Sequence, residues 1–254
     1  MHTLVAFADL PAWQFAAAGL VLAIAGVVRG FSGFGFSMVA VTALSLFRPP
    51  AEIIPMVLLL EISASLNLMV AVWREADWGS LVWLSMGMVV ATPLGVLVLA
   101  TVAPNPMRIV VSLLVLAAAI GLLSGWRMQR QPGPLATLAT GALSGFLNGA
   151  ASIAGPPVIV FYLSSPAAMH VSRASLIAFF LGCDIVALLV GGAYGLVTVH
   201  TWYRAACFLL PVAAGVFLGH RSFRRTRPET FRQLVLLLLI VLALAGLLRA
   251  TLTV

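Results

Sequence analysis

The stretch 26-GVVRGFSGFGF-36 interrupts the first long apolar segment of this 254-residue chain. It contains Arg29, whose guanidinium keeps its charge. Four of its residues, Gly26, Gly30, Gly33 and Gly35, are poor helix formers. A uniformly apolar helix would need neither feature. The stretch therefore predicts a helix that stops partway, with a discontinuous or re-entrant segment near residues 29–36.

The composition indicates that lipid surrounds most of the chain. Hydrophobic residues make up 62% of it, charged residues only 8%, and the mean hydropathy is +1.13. This is more apolar surface than one soluble core could hide. The apolar runs approach the roughly 20 residues of a spanning helix and do not alternate as barrel strands do. We expect an all-α polytopic membrane protein.

Ten apolar segments can be placed along the chain. The second, sixth and seventh are short for a full crossing. Each is either a tilted short helix or one arm of a re-entrant hairpin, which needs protein or a water-filled cavity around it. The predicted segments are residues 11–28, 36–47, 51–73, 79–102, 107–125, 135–147, 151–164, 174–198, 203–219 and 231–249.

Arginine positions predict the orientation. Ten crossings place Arg74, Arg127, Arg130, Arg173 and the cluster from Arg221 to Arg227 on one side, and Arg48, Arg108, Arg204 and Arg249 on the other. The arginine-rich side is expected to be cytoplasmic, with both termini outside. The basic charge is explained by topology, so no nucleic-acid partner is predicted. The cluster either binds anionic lipid headgroups or only enforces orientation.

The second half of the chain resembles the first. "GVVRG" at 26–30 matches "GFLNG" at 145–149 with an offset of 119, and Arg108 matches Arg232 with an offset of 124. The predicted organisation is a first transmembrane repeat (1–125), a cytoplasmic linker (126–133) and a second repeat (134–254). Each repeat has about five segments, eight to ten in total, in the inverted arrangement of many secondary transporters. Chance similarity between leucine-rich runs is the alternative.

A second break is predicted at 148-NGAASIAGPP-157, because Pro156 and Pro157 favour a helix start over a helix interior. A helix start offers free N–H groups and a partial positive charge, which suit an anion. Close helix packing through GxxxG is the competing interpretation. Packing accounts for the glycines but not for the polar residues beside them. Those residues are Arg29, which could also snorkel to an interface, Ser32, Asn148 and Ser152.

Two carboxylates fall near the centres of their segments, Glu61 in the third and Asp184 in the eighth. They are 123 residues apart, so they are matching positions of the proposed repeat. An ionised carboxylate is costly at this depth. Either the pair couples transport to protons, or each carboxylate is a structural partner of Arg29 or of a backbone donor.

The motif "GxxRGFSGFG", followed in the second half by "NGAASIAGPPVIVF", resembles the TauE/SafE sulfite-exporter family over nearly the whole chain. The resemblance implies a bacterial inner-membrane permease for sulfite, an organosulfonate or a related sulfur anion. The helix starts and Arg29 also favour a substrate with negative charge. The predicted substrate-binding residues are Arg29, Phe31, Ser32, Gly33, Phe34, Asn148, Gly149, Ser152 and Pro156.

The leading hypothesis is a proton-coupled secondary transporter using Glu61 and Asp184, with a passive anion channel as a close variant. An intramembrane enzyme is disfavoured, since HExxH and GxSxG are missing from the sequence. A membrane scaffold would not need matching helix breaks. No metal or cofactor is predicted. The expected partners are a small anion, protons and membrane lipids, and a homodimer is compatible with the sequence.

Overall fold

The computed structural model describes residues 12–32, 34–123, 132–164, 168–223, 237 and 240–248. Within these ranges the chain is almost entirely helical, which confirms the predicted all-α class. A short 3-10 helix, Trp73–Glu75, follows the third helix, and residues 240–248 are also helical. The main helices are α1 (Ala12–Ser32), α2 (Phe36–Leu44), α3 (Pro50–Val72), α4 (Trp78–Thr101), α5 (Pro104–Leu123), α6 (Pro134–Ala151), α7 (Gly155–Ser164), α8 (Met169–Ala193) and α9 (Val199–Phe223).

Five stretches of the described helices are long and apolar enough to cross a membrane. They lie in α1, α4, α5, α8 and α9, and the most apolar are Trp78–Thr101 and His170–Ala193. Many of their large side chains, such as Val90 and Leu210, point outward without protein neighbours to cover them. Such faces suit contact with lipid, so the chain is a multi-pass membrane protein.

Both predicted helix breaks are present. α1 ends at Ser32 and α2 begins at Phe36, while α6 ends at Ala151 and α7 begins at Gly155. Each break contains a left-handed residue, Gly35 with φ 86° and Ser152 with φ 57°. Glycine reaches this region freely, whereas a serine there stores strain of about 1–3 kcal/mol. The strained backbone therefore marks Ser152 as a candidate functional residue.

Each broken pair turns back toward the end from which it started. The ring of Trp13, at the start of α1, contacts the ring of Phe47, just after α2, with 6.1 Å between centroids. Pro134, at the start of α6, and Phe161, near the end of α7, line one cleft. At 1.5 Å per residue, α2 and α7 are roughly 15 Å long, too short for a bilayer core of about 30 Å. The second arm of each pair therefore cannot cross the membrane by itself, and each pair is a helical hairpin whose tip lies inside the molecule.

Contacts between helix ends sort the arginines into two groups. Arg204, at the start of α9, bonds Glu52, at the start of α3, and Arg108 donates to the carbonyl of Ser45. At the opposite end the backbone N–H of Asp77 donates to Ser175, close to Arg74 and Arg173 in sequence. This agrees with the predicted grouping for Arg108, Arg204, Arg74 and Arg173. The predicted positions of Arg127, Arg130, Arg224, Arg225, Arg227 and Arg249 lie outside the described residues. The cytoplasmic identity of the second end remains a prediction.

Corresponding helices of the two sequence halves make similar contacts, and the repeat itself stays a prediction. α1 packs extensively on α9, and its counterpart α6 packs on α4; α3 packs on α8. Element boundaries also agree, since α1 and α6 end 119 residues apart and α3 and α8 begin 119 residues apart. The inverted orientation of the halves, the boundaries 1–125 and 134–254, and a cytoplasmic linker stay predictions. Most of that linker lies outside the described residues.

Glycines hold the two largest helix interfaces together. A Cβ built on Gly30 would overlap the carbonyl oxygen of Val216, and one on Gly215 would overlap that of Ala23, which joins α1 to α9. Gly87 meets Leu138 and Gly141 meets Leu84 in the same way, which joins α4 to α6. The GxxxG motifs thus do pack helices, as their competing interpretation proposed. We call these two contacts the glycine interfaces.

Replacing Gly141 with Ala is expected to destabilise the protein by about 1–3 kcal/mol, because the new methyl group must push α4 away from α6. Thermal melting of the detergent-solubilised protein measures the change. Gly192→Ala is the matched control, since no atom lies within 4 Å of the position that its new methyl group would occupy. It should be neutral or slightly stabilising, because alanine favours helix. Equal melting of the two variants would contradict close packing at Gly141.

Candidate functional site

A small cavity lies where the two hairpin tips meet. Both breaks, both central carboxylates, Asn148 of α6 and Phe180 of α8 contribute to it. We call it the junction cavity. It is lined by Phe34, Gly35, Ser37, Met38, Glu61, Asn148, Ser152, Ile153, Ala154, Gly155, Phe180 and Asp184.

Arg29 and Glu61 form a buried ion pair beside the junction cavity. Arg29 is only 1% exposed, so it does not snorkel to an interface. One guanidinium nitrogen donates to the carboxylate of Glu61 and another to the hydroxyl of Ser65. Ser37, at the start of α2, donates to the second oxygen of Glu61. Glu61 thus has a countercharge, and both of its oxygens accept hydrogen bonds.

Asp184 is held differently. Its Oδ1 accepts a hydrogen bond from the amide nitrogen of Asn148 at 3.2 Å, while its Oδ2 is buried with no partner among the described residues. The residue is 1% exposed. An unpaired carboxylate oxygen at this depth is expensive, so Asp184 needs a proton, a water or a ligand there.

The two carboxylate clusters occupy matching places. Arg29 and Asn148 lie in the last turns of α1 and α6 and are 119 residues apart, and each bonds the central carboxylate of the third helix in its half. The difference is charge, because Arg29 is a cation and Asn148 is neutral. The Glu61 side of the cavity is therefore balanced, whereas Asp184 has no cation bonded to it within the described part of the chain.

The helix starts at the cavity are not equivalent as donors. The first N–H groups of α2, on Phe36, Ser37 and Met38, have no partner within the helix. In α7 the second and third positions are Pro156 and Pro157, which have no N–H. The expectation of several free donors therefore suits the start of α2, whereas of the first three residues of α7 only Gly155 has an N–H. The buried hydroxyl of Ser152, which has no partner among the described residues, lies at the same break.

The predicted site residues fall into three groups. Phe34, Asn148, Ser152, Glu61 and Asp184 all line the junction cavity. Four others do not line it: Arg29 bonds Glu61, Phe31 is buried in α1, Gly149 packs on Thr92 of α4, and Pro156 is in the first turn of α7. Gly33 and the side chain of Ser32 lie outside the described residues.

Several site residues were missing from the sequence prediction. Ser65 lies four residues after Glu61, and Phe180 lies four before Asp184, so helical periodicity places each beside its carboxylate. That rule could have found both. Ser37 follows from knowing where α2 begins, which the sequence left uncertain by a few residues.

The chemistry available in the cavity is binding and proton exchange. Hydroxyl and amide groups can donate to an oxyanion, and two carboxylates can exchange protons. Among the described residues no three His, Cys, Asp or Glu side chains lie close enough together to hold a metal ion. The arrangement suits a small anion that enters with, or against, a proton.

Comparison with known proteins agrees with this geometry. No curated protein and no solved structure matches the chain significantly. The family described as "Sulfite exporter TauE/SafE" matches residues 18–246, which include both helix breaks, both carboxylates and both glycine interfaces. The chain therefore belongs to the TauE/SafE sulfite-exporter family of membrane transporters.

Proposed function

We propose that the protein is a secondary transporter that carries sulfite or an organosulfonate together with a proton, and that the junction cavity is its binding site. The observation that carries this proposal is the meeting of two helix breaks and two buried carboxylates in one small cavity. A packing role for the breaks would not need the carboxylates there.

The charges around the cavity supply the reason for coupling. Arg29 and Glu61 neutralise each other, so an ionised Asp184 would leave the site with a net negative charge. An oxyanion would then be repelled at a depth where charge is weakly screened. A proton on Asp184 removes that repulsion. Anion and proton would thus bind together.

Neutral donors would hold the anion. A sulfite or sulfonate group presents three oxygens, which suits the N–H groups at the start of α2, the amide of Asn148 and the hydroxyl of Ser152. Phe34 and Phe180 would pack against the rest of the substrate. The unpartnered hydroxyl of Ser152, kept in a strained backbone conformation, is the most direct support for a ligand at this point.

Access from the two ends would alternate. At one end Glu52 of α3 bonds Arg204 of α9, and at the other Ser80 of α4 bonds Tyr162 of α7 at 2.8 Å. Both contacts join the first half of the chain to the second. Opening either end would require its contact to separate while the other persists.

Substitution at Ser152 tests the site. Ser152→Gly removes the hydroxyl and suits the left-handed backbone, so the protein should fold while its KM for sulfite rises about tenfold, the expected loss of one hydrogen bond to a charged group. Radiolabelled sulfite uptake into proteoliposomes, with sulfate and thiosulfate as competitors, measures it. Ser144→Ala is the matched control, because Ser144 of α6 is also buried and unpartnered among the described residues but does not line the cavity.

Two outcomes would contradict the proposal. Equal KM values for the wild type and Ser152→Gly would remove Ser152 from the site, and no saturable flux of any sulfur anion from folded protein would remove the substrate class. A passive channel would instead show conductance that does not saturate and ignores a proton gradient. Placement in the bacterial inner membrane and a homodimer stay predictions.

A further inference from the structure

A second recess lies away from the junction cavity, between the starts of α1, α3 and α9 and the end of α2. It is partly open to its surroundings. Two arginines, Arg48 and Arg204, stand at its rim with Glu52 between them, at 3.9 Å and 3.3 Å from the carboxylate. Two cations share one anion, so the rim has a net positive charge. We call this recess the basic groove.

The basic groove has a polar layer and an apolar layer one helical turn apart. Gln14 precedes Ala18 on α1, Glu52 precedes Met56 on α3, and Arg204 precedes Phe208 on α9, each by four residues, and all six line the groove. Four residues advance a helix by about 6 Å. The three helices therefore give the groove a charged rim and an apolar floor, which is the layering of an amphiphile.

Exposed aromatic side chains lie on the same helix ends as the rim. Trp13 is 60% exposed and its ring contacts Phe47, while Trp202 and Tyr203 are exposed on α9 beside Arg204. Exposed Trp and Tyr at the ends of membrane helices lie at the level of lipid headgroups. The rim of the basic groove is thus placed at the headgroup layer and its floor at the acyl-chain layer.

The positive charge of the basic groove has no counterpart in the described lining of the cleft at the opposite end of the molecule. The cleft at the other end of the molecule uses the counterpart helices, with Pro134 and Thr137 of α6, Phe161 of α7 and Asp77 before α4. Its described lining residues include one carboxylate and no arginine. In the described part of the chain, the pair of arginines on one carboxylate is therefore a feature of the basic groove and not of this cleft.

We propose that the basic groove binds an anionic phospholipid, with the headgroup phosphate on Arg48 and Arg204 and one acyl chain over Ala18, Met56 and Phe208. A small sulfur anion would use the rim but would leave the apolar floor empty. This inference does not depend on the transported substrate. A bound lipid would brace α3 against α9 at the point where Glu52 meets Arg204.

Native mass spectrometry of the full-length protein, delipidated in detergent and titrated with dioleoyl phosphatidylglycerol or dioleoyl phosphatidylcholine, tests the proposal. We expect retention of phosphatidylglycerol over phosphatidylcholine, and a loss of about fivefold in its affinity for each arginine replaced in Arg48→Gln and Arg204→Gln. Glu52→Gln should raise that affinity, because it removes the competing carboxylate. Arg74→Gln, at the other end, is the matched control and should change nothing.

A third arm examines the apolar floor. Ala18→Trp should fill it and weaken both lipids, whereas the rim variants should weaken only phosphatidylglycerol. Equal binding of the two lipids by the wild type, or full displacement of phosphatidylglycerol by millimolar sulfite, would overturn the assignment. Crosslinks from residues 1–11 to position 208, without any retained lipid, would mean that the chain's own N-terminal segment occupies the basic groove. That result would also overturn the assignment of a lipid.

Discussion

Replacing Arg29 with Gln is expected to lower sulfite flux about 100-fold, although Arg29 does not line the junction cavity. The physical reason is its partner. Without the guanidinium, the carboxylate of Glu61 has no countercharge and faces the cavity from which an anion must be drawn. Flux into proteoliposomes at saturating and subsaturating sulfite measures the effect, and the loss should appear mainly in KM.

The double variant Arg29→Gln/Glu61→Gln separates two roles for the arginine. If Arg29 acts by balancing Glu61, removal of both charges should return flux to within about tenfold of the wild type, and should also recover the thermal stability lost in Arg29→Gln, since a lone buried charge costs about 3–5 kcal/mol. If Arg29 instead touches the anion directly, the double variant should regain stability without regaining flux.

Replacing Asp184 with Asn is expected to abolish the dependence of transport on the proton gradient. In the wild type, flux should rise as the pH falls on the side where the anion is loaded, because a proton on Asp184 removes a negative charge from the site. Asparagine is neutral at every pH, so the variant should bind the anion equally well across the range. The charged neighbours of Asp184 are Glu61 and Arg29, and neither changes in this variant.

The measurement uses an organosulfonate in parallel with sulfite, since a sulfonate keeps the same charge across the pH range. Glu75→Gln is the control, because Glu75 is exposed in the 3-10 helix at one end of the molecule and should leave the pH profile intact. An unchanged pH profile in Asp184→Asn would mean that Glu61 or another group carries the coupled proton. It would overturn the role given to Asp184.

Much of the architecture follows from the sequence alone. Apolar runs of roughly 20 residues fix the class of the protein, and glycines and prolines in otherwise apolar segments locate both helix breaks to within a few residues. The sequence also places Glu61 and Asp184 near the centres of their segments and offers Arg29 as a structural partner for either carboxylate. These signals are local, or they repeat along the chain, and so they are readable without a structure.

The sequence could not show which of two contacts each residue makes. Gly149 and Asn148 are neighbours, yet one faces α4 and the other faces the junction cavity. The same motif thus packs against α4 with one face of the helix and lines the junction cavity with another. Only the rotation of α6 about its axis decides which residue lies on which face. The position of Arg29 behind Glu61 likewise depends on the distance between α1 and α3, which no local pattern encodes.

The glycine interfaces bear on how a carrier of this shape could move. Each fastens a helix of one sequence half to a helix of the other, α1 to α9 and α4 to α6, with backbones too close to slide without clashing. A rigid-body movement of one half of the sequence against the other would separate both glycine interfaces. The rigid units of the protein are therefore expected to be the pairs α1–α9 and α4–α6, each of which contains one helix from each half of the sequence. The hinges are expected at the ends of α3 and α8, which run between these pairs.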